Sequence, residues 1–230
     1  MNRLGFSLLN PLTEEDVLVD GHGRLMLKDG VPIIAKTRFS TNIDFRSTSI
    51  TMKRLLLNSI PQEDRYLNFP LDFVDLCCDL ENTRLEKGYP HIYPAALLPL
   101  HLRGTAYMDL YDFVTSKACP AHVRKIVITE SPYRIYWKTI AEGNVILGEW
   151  FFPSRVTLTN DEDYTDFWRH VRCHRFMYRK IWDYTVDELE RVIQFKTPLM
   201  MTVLYKRLWN AGRRLPNLKV HRLFTYQVIR

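Results

Sequence analysis

The spacing of apolar residues changes once within residues 109–182, and this change constrains the possible folds of the chain most. Over residues 123–152, short apolar runs rich in β-branched and aromatic residues are separated by turn residues, and part of the segment alternates apolar with polar side chains. A period of two is typical of half-buried β-strands. From Tyr164 onward the apolar residues recur every three or four positions, as on one face of a helix. The segment therefore predicts antiparallel strands followed by one long amphipathic helix over residues 161–181.

Short apolar runs also occur in the first part of the chain. Residues 17–19, 25–27 and 31–35 are apolar, and Asp-Gly pairs at residues 20–21 and 29–30 lie between them. Asp-Gly is among the strongest short signals for a hairpin turn. This part of the chain therefore predicts a β-meander that follows an extended N-terminal arm.

Four other segments complete the prediction of the fold. Residues 199–208 favour a buried strand, and residues 81–106, which contain several Pro and Gly residues, favour a long loop. Residues 49–60 and 185–197 are compatible with either helix or strand. Many strands and few helices indicate a mainly β fold: an antiparallel β-sandwich, jelly-roll-like, with one long amphipathic helix and peripheral helical or loop arms.

Length and charge limit the classes of protein to consider. A chain of 230 residues suits one domain, and we expect a single β-sandwich domain over residues 1–230. The formal net charge of +6 permits contact with nucleic acid without requiring it. No run of about 18 apolar residues occurs, so no membrane span is expected. The first residues lack a small-residue cleavage site, so secretion is not expected.

The order of several segments in the second half of the chain carries a resemblance to a known family. An aromatic segment with a cysteine, Tyr111-Asp112-Phe113 to Cys119-Pro120, precedes the segments HVRKIVITE and YRIYWK. The segments DYTDFWRHVRCHRFMYRKIW and DYTVDELE follow. This order resembles the second half of the polyhedrins and granulins of baculoviruses, the occlusion-body proteins to which a nudivirus polyhedrin would also belong.

The resemblance implies a jelly-roll core with projecting helical arms. It also implies a structural matrix protein, not an enzyme, that forms trimers and packs into intracellular crystals around virions. Such crystals dissolve in alkali, and they lie in the nucleus or cytoplasm of the host cell, with the nucleus favoured. No cofactor is expected, and the partners are further copies of the chain and the virion.

An alternative function is binding of nucleic acid by the predicted helix over residues 161–182. Basic and aromatic residues interleave there, and such a surface can combine phosphate contacts with base stacking. A charge run on an amphipathic helix is more often its solvated face, so we expect any binding to be weak and non-specific. The basic residues concerned are Arg169, Arg172, Arg175, Arg179 and Lys180, together with Arg213-Arg214 nearer the C-terminus.

Three residues of the same helix have spacing that could suit a metal. His170 and His174 stand at i and i+4, with Cys173 between them. No Glu follows His170 and no distant pair of ligands completes a set of four, so we expect no metal. The motifs GxSxG and GxGxxG are absent, which leaves an enzyme as the least favoured class.

The four cysteines do not follow the spacing of a zinc knuckle or a CxxC redox motif. In a reducing compartment, buried free thiols are the simplest interpretation. A body that persists outside the cell allows disulfides to form between subunits. The candidates for such links are Cys77, Cys78, Cys119 and Cys173.

Tyrosines offer a chemical trigger for alkaline release. Tyr and Lys titrate near pH 10, so alkali turns phenols that donate hydrogen bonds into anions and removes ammonium charges. Twelve tyrosines are present in the chain. The candidates for a release switch are those set among Asp and Arg on and after the long helix: Tyr164, Tyr178 and Tyr184.

Overall fold

A computed structural model describes seven parts of the chain: residues 5–19, 25–61, 69–82, 95–129, 131–154, 163–173 and 184–212. About 69% of these residues are helical, and their strands form two antiparallel sheets of two strands each. The predicted jelly-roll-like β-sandwich is therefore wrong. The chain divides into two compact units, unit 1 over Met1–His91 and unit 2 over Ile92–Arg230.

The described residues of unit 1 form two small sheets and two helices. Strand β1 (Phe6–Leu8) pairs with β4 (Ile33–Ala35), and β2 (Val17–Val19) pairs with β3 (Leu25–Leu27). A short 3-10 turn, Glu14–Asp16, precedes β2. The two hairpin signals are thus partly confirmed: β2 and β3 form a hairpin, but β4 pairs with β1 and not with β3, so the predicted meander is wrong.

The first helix of unit 1 contains most of residues 49–60, which were compatible with either helix or strand. Helix α1 (Arg38–Ser59) begins with a capping box in which the side chain of Thr37 accepts a hydrogen bond from the backbone of Ser40. Helix α2 (Leu71–Asn82) packs against it and buries Leu76, Cys77 and Leu80.

The buried face of α1 is polar, which its sequence did not predict. The N–H of Leu8 donates a hydrogen bond of 3.1 Å to the carboxylate of Asp44, and this bond ties β1 to α1. The hydroxyl of Ser49 has one proton to donate, and it lies 3.2 Å from the carbonyl oxygen of Cys77 and 2.8 Å from Oε1 of Glu81, which ties α1 to α2. These hydrogen bonds offset the cost of burying polar groups. The buried polar residues of α1 are Ser40, Thr41, Asp44, Ser47, Ser49 and Thr51.

The described residues of unit 2 form helices and turns, and no strand occurs among them. A 3-10 turn, Ala95–Leu97, precedes its first helix. The helices are α3 (Leu100–Thr115), α4 (Ala121–Thr129), α5 (Trp137–Glu142), α6 (Val145–Ser154), α7 (Tyr164–Cys173), α8 (Val186–Lys196) and α9 (Met200–Asn210).

Three segments predicted as strands are helices because their apolar residues also fit a helical face. In α4, Val123 and Val127 are four positions apart and are 0% and 1% exposed, whereas Ile126 between them is 39% exposed. Strand preference of β-branched residues depends on what they pack against, so tertiary contacts override it. The apolar runs 145–152 and 199–208 likewise lie in α6 and α9.

Two further expectations about local structure are wrong. The alternation over residues 133–138 leads through turns into α5, with Ile135 63% exposed and Trp137 fully buried, so these residues do not share a strand face. Of the predicted loop over residues 81–106, residues 81–82 belong to α2, residues 95–97 form the 3-10 turn and residues 100–106 belong to α3, while residues 83–94 lie outside the described ranges. Gly104, one of the residues that suggested a loop, is a buried residue of α3.

The predicted amphipathic helix is confirmed over Tyr164–Cys173, and the remainder of residues 161–181 lies largely outside the described ranges. Its apolar stripe, Tyr164, Phe167, Trp168 and Val171, is buried as expected. Phe167 lies at the centre of an aromatic cluster, with its ring centroid 5.1 Å from Trp137, 6.0 Å from Phe151 and 5.0 Å from Trp168. Aromatic contacts at these separations hold α5, α6 and α7 together.

In the part of the chain that the structure describes, no helix is both long enough and apolar enough to cross a bilayer.

Candidate functional site

The basic face predicted for the long helix is partly buried inside unit 2. The guanidinium of Arg172 donates two hydrogen bonds to Glu190 of α8, with Nε 2.7 Å from Oε1 and Nη2 3.0 Å from Oε2. It also lies over the ring of Tyr107, 4.1 Å from the ring centroid. Both charged side chains are buried, so Arg172 is not available to a phosphate group.

A glycine provides the space that this ion pair occupies. A Cβ atom at Gly104 of α3 would lie 2.8 Å from Oε1 of Glu190 and 3.6 Å from its Cδ. Real Cβ atoms do not approach other atoms so closely, so the hydrogen at Gly104 lets α3 and α8 approach each other around the carboxylate. Gly104 thus supports a structural ion pair.

The exposed basic residue described on α7 is Arg169, and it is also engaged. Its guanidinium lies 5.5 Å from the ring centroid of Tyr111. The hydroxyl of Tyr111 donates to the carboxylate of Asp166. Burial, followed by this hydrogen bond, raises the pKa of Tyr111 to about 12. Arg169 therefore belongs to a mixed-charge surface, which gives little support to a nucleic-acid interface. Arg175, Arg179, Lys180 and Arg213-Arg214 lie outside the described residues.

The two candidate release tyrosines that the structure describes, Tyr164 and Tyr184, differ in burial. Tyr164 is 3% exposed, and its hydroxyl donates to the carbonyl of Val127 at 3.3 Å. Burial raises the pKa of Tyr164. Its hydrogen bond lies within unit 2 and does not reach a neighbouring subunit. Tyr184 is partly exposed, and Tyr178 lies outside the described residues.

The four cysteines are free thiols, and they differ in access. Cys77 and Cys119 are buried, whereas Cys78 and Cys173 are exposed. Burial raises the pKa of Cys77, which makes its thiolate still less available. A link between subunits can therefore form at Cys78 or Cys173 without unfolding, but not at the other two positions.

Two of the three metal candidates lie in the described part of the chain. His170 and Cys173 lie on α7, and His174 falls outside the described residues. Among the described residues, no group of three or more His, Cys, Asp or Glu side chains has a geometry that could hold a metal ion.

The feature of unit 1 that sequence reasoning missed is the exposure of the β2–β3 hairpin. Directly opposed residues of an antiparallel pair share a face, so Leu18 and Met26 lie on one face and Val17 and Leu27 lie on the other. Leu18, Met26 and Leu27 are 44%, 49% and 39% exposed, and Val17 is partly exposed. Exposed antiparallel sheets commonly carry one polar face, but each face of this hairpin carries an apolar pair. We call these four residues the hairpin surface.

Charged residues flank the hairpin surface at its base. Lys28 follows β3, and its N–H donates to the carbonyl of Asp16 at 2.8 Å, so these two residues are opposed. Glu15, next to Asp16, is exposed, as is Lys28. Hydrogen bonds from Thr13 lower the pKa of Asp16, and the charge of Lys28 adds to this effect. The hairpin therefore has an acidic entry to β2 and a basic exit from β3.

The sequence did contain a signal for this surface. All three residues of each strand are apolar, which an alternating surface strand would not be. The exposure of Leu18, Met26 and Leu27, however, depends on how the rest of the chain packs, which the sequence does not show.

Comparison with known proteins adds no relative. No protein-family model, no curated protein and no solved structure matches this chain.

Proposed function

We propose that this chain is a structural, self-assembling protein that makes contacts between copies through the hairpin surface. The observation that carries the proposal is that each face of the β2–β3 hairpin has an apolar pair, in which Leu18, Met26 and Leu27 are exposed and Val17 is partly exposed. An isolated two-stranded hairpin is at best marginally stable, and further strands or a packed layer stabilise it. A second copy of the chain supplies both.

The charged groups of unit 2 support a structural role over nucleic-acid binding. Arg172 and Glu190 neutralise each other in the interior, and Arg169 lies beside Tyr111 and Asp166. These residues are engaged in packing and leave few free cations on the described part of α7.

The specific form of this proposal is the matrix of a viral occlusion body, as the resemblance of residues 109–182 implies. The jelly roll that the resemblance also implies is not the fold of the described residues, so the proposal depends on the hairpin surface and not on a shared fold. Expression of the chain in insect cells tests this form: refractile crystals that dissolve in alkali are expected, and diffuse protein at high expression would argue against it.

Self-assembly is tested with the purified full-length chain. Light scattering after size-exclusion chromatography should give a mass that rises with protein concentration. Leu18→Asp combined with Met26→Asp should reduce this mass towards one chain, because two charges on an apolar face oppose its burial. The matched control is Val145→Asp in unit 2, where an 80% exposed apolar residue is replaced. A parent chain that stays monomeric at every concentration would overturn the proposal.

A further inference from the structure

We propose that the contact is directional: the outer edge of β2 in one copy pairs antiparallel with the outer edge of β3 in the next copy, so that hairpins add head to tail. This inference depends on the proposed self-assembly, and it names the edge that each copy presents.

The backbone of the hairpin has groups that point outward for such pairing. Because Asp16 and Lys28 are joined by a hydrogen bond, the next opposed pair, Val17 and Leu27, is a non-hydrogen-bonded pair of the ladder. The N–H and carbonyl of Leu27 therefore point away from β2, at the outer edge of β3. On β2, the carbonyl of Val17 points outward, while its N–H is bonded to the carbonyl of Glu14. In the described residues no third strand covers either edge.

Charge selects which two edges meet. Within one chain, β3 runs antiparallel to β2 and brings Lys28 beside Asp16, the residue that precedes β2. A β3 strand from the next copy, paired antiparallel on the other edge of β2, brings its own Lys28 beside Glu15 in the same way. Pairing of β2 with β2, or of β3 with β3, does not bring these opposite charges together. Complementary charges at an edge fix register and orientation.

The consequence is an open assembly. Because β2 and β3 are different surfaces, the contact is heterologous, and heterologous contacts generate rings or filaments and not closed two-fold dimers. Each added hairpin leaves one free β2 edge and one free β3 edge for the next copies. The hairpins then form a continuous sheet whose apolar faces are available to other layers.

The test uses two charge reversals in the full-length chain, Glu15→Lys and Lys28→Glu. Either variant alone places like charges at the proposed contact. In sedimentation velocity we therefore expect a dissociation constant about two- to tenfold larger than that of the parent. An equimolar mixture of the two variants restores opposite charges at every contact between unlike copies. We therefore expect the mixture, and the double variant E15K/K28E, to recover assembly. High salt should reduce the difference in dissociation constant between each single variant and the parent.

A second variant tests the edge itself. Leu27→Pro removes the outward N–H of β3 and leaves the hydrogen bonds of Met26 and Lys28 to β2 in place. It should bind at one end only and cap assemblies of the parent when added in small amounts. An unchanged circular-dichroism spectrum serves as the control for folding.

The outcomes separate this inference from the function on which it depends. If the parent assembles but the single charge reversals assemble equally well, or if their mixture does not recover, the head-to-tail edge contact is overturned while self-assembly stands. If the parent remains monomeric, both are overturned. If L27P assembles to the same mass as the parent, the β3 edge is not part of the contact.

Discussion

Arg172 and Glu190 form a buried, two-point ion pair between α7 and α8, with N–O distances of 2.7 and 3.0 Å. Taking both charges out of water is costly, and the two hydrogen bonds and the ring of Tyr107 offset this cost. The pair therefore acts as a constraint on how α7 and α8 meet, and its loss on one side leaves an unpaired buried charge.

The first prediction concerns removal of one partner of this pair. Arg172→Met should lower the free energy of unfolding by about 3–5 kcal/mol, because the carboxylate of Glu190 remains buried without a partner. Replacement of both residues, R172M with E190L, should recover most of the loss, since no charge remains buried. Urea unfolding of the parent, both single variants and the double variant measures this. Equal losses in the single and double variants would contradict the explanation.

The second prediction concerns the glycine beneath the pair. Gly104→Ala should cost about 1–3 kcal/mol, because the added Cβ would lie 2.8 Å from Oε1 of Glu190. In a Glu190→Ala background the carboxylate is gone, so the same change should become stabilising by up to about 1 kcal/mol through helix propensity. A double-mutant cycle of unfolding free energies checks the change of sign. Additive effects would show that Gly104 does not accommodate Glu190.

The third prediction concerns alkaline pH. Burial raises the pKa of Tyr107, Tyr164 and Tyr205, and burial together with Asp166 raises that of Tyr111 to about 12. The unfolded phenol titrates near 10, so the folded state holds these protons more tightly. The resulting stability is fully present below about pH 10 and is lost as pH rises through the folded pKa values.

Urea unfolding between pH 7 and pH 12 measures this loss. The free energy of unfolding of the parent should fall above about pH 10. That of Tyr111→Phe should fall less steeply up to pH 12, because one phenol no longer titrates. At pH 7 the same variant should be less stable by about 1 kcal/mol, since the hydrogen bond to Asp166 is lost. A parent whose stability stays constant to pH 12 would contradict the prediction.

The fourth prediction concerns the thiols. In the native chain a thiol reagent should modify Cys78 and Cys173 quickly, and Cys77 and Cys119 only at the rate of unfolding. Cross-linked species on an unreduced gel should disappear in C78S/C173S and persist in the matched control C77S/C119S. Four thiols of equal reactivity in the folded protein would show that burial does not protect Cys77 and Cys119.

Signals that are local in sequence predicted the correct local structure. The Asp-Gly pair at residues 20–21 predicted that the apolar runs on either side of it pair as antiparallel strands, and β2 and β3 do so. The spacing of Tyr164, Phe167, Trp168 and Val171 indicated the buried stripe of α7. In both places the residues that carry the signal are near neighbours in the sequence.

The basic run of α7 shows where the sequence was insufficient. Arg172 resembles its neighbour Arg169 in type and spacing, yet Arg172 is 4% exposed and Arg169 is exposed. The difference comes from Glu190 and Gly104, which are distant in sequence and meet Arg172 only after α3, α7 and α8 have packed. No periodicity in residues 161–182 contains that information.

By itself, the sequence determined the antiparallel pairing of β2 with β3, the apolar character of both strands and the buried stripe of α7, because turn chemistry and helical spacing act between near neighbours. The tertiary structure alone decided that the apolar runs 123–129 and 145–152 are helices, since β-branched and aromatic residues fit either state until their packing partners are known. It also decided which charges are buried and which apolar faces are left exposed, because burial is a property of the packed unit and not of the residue.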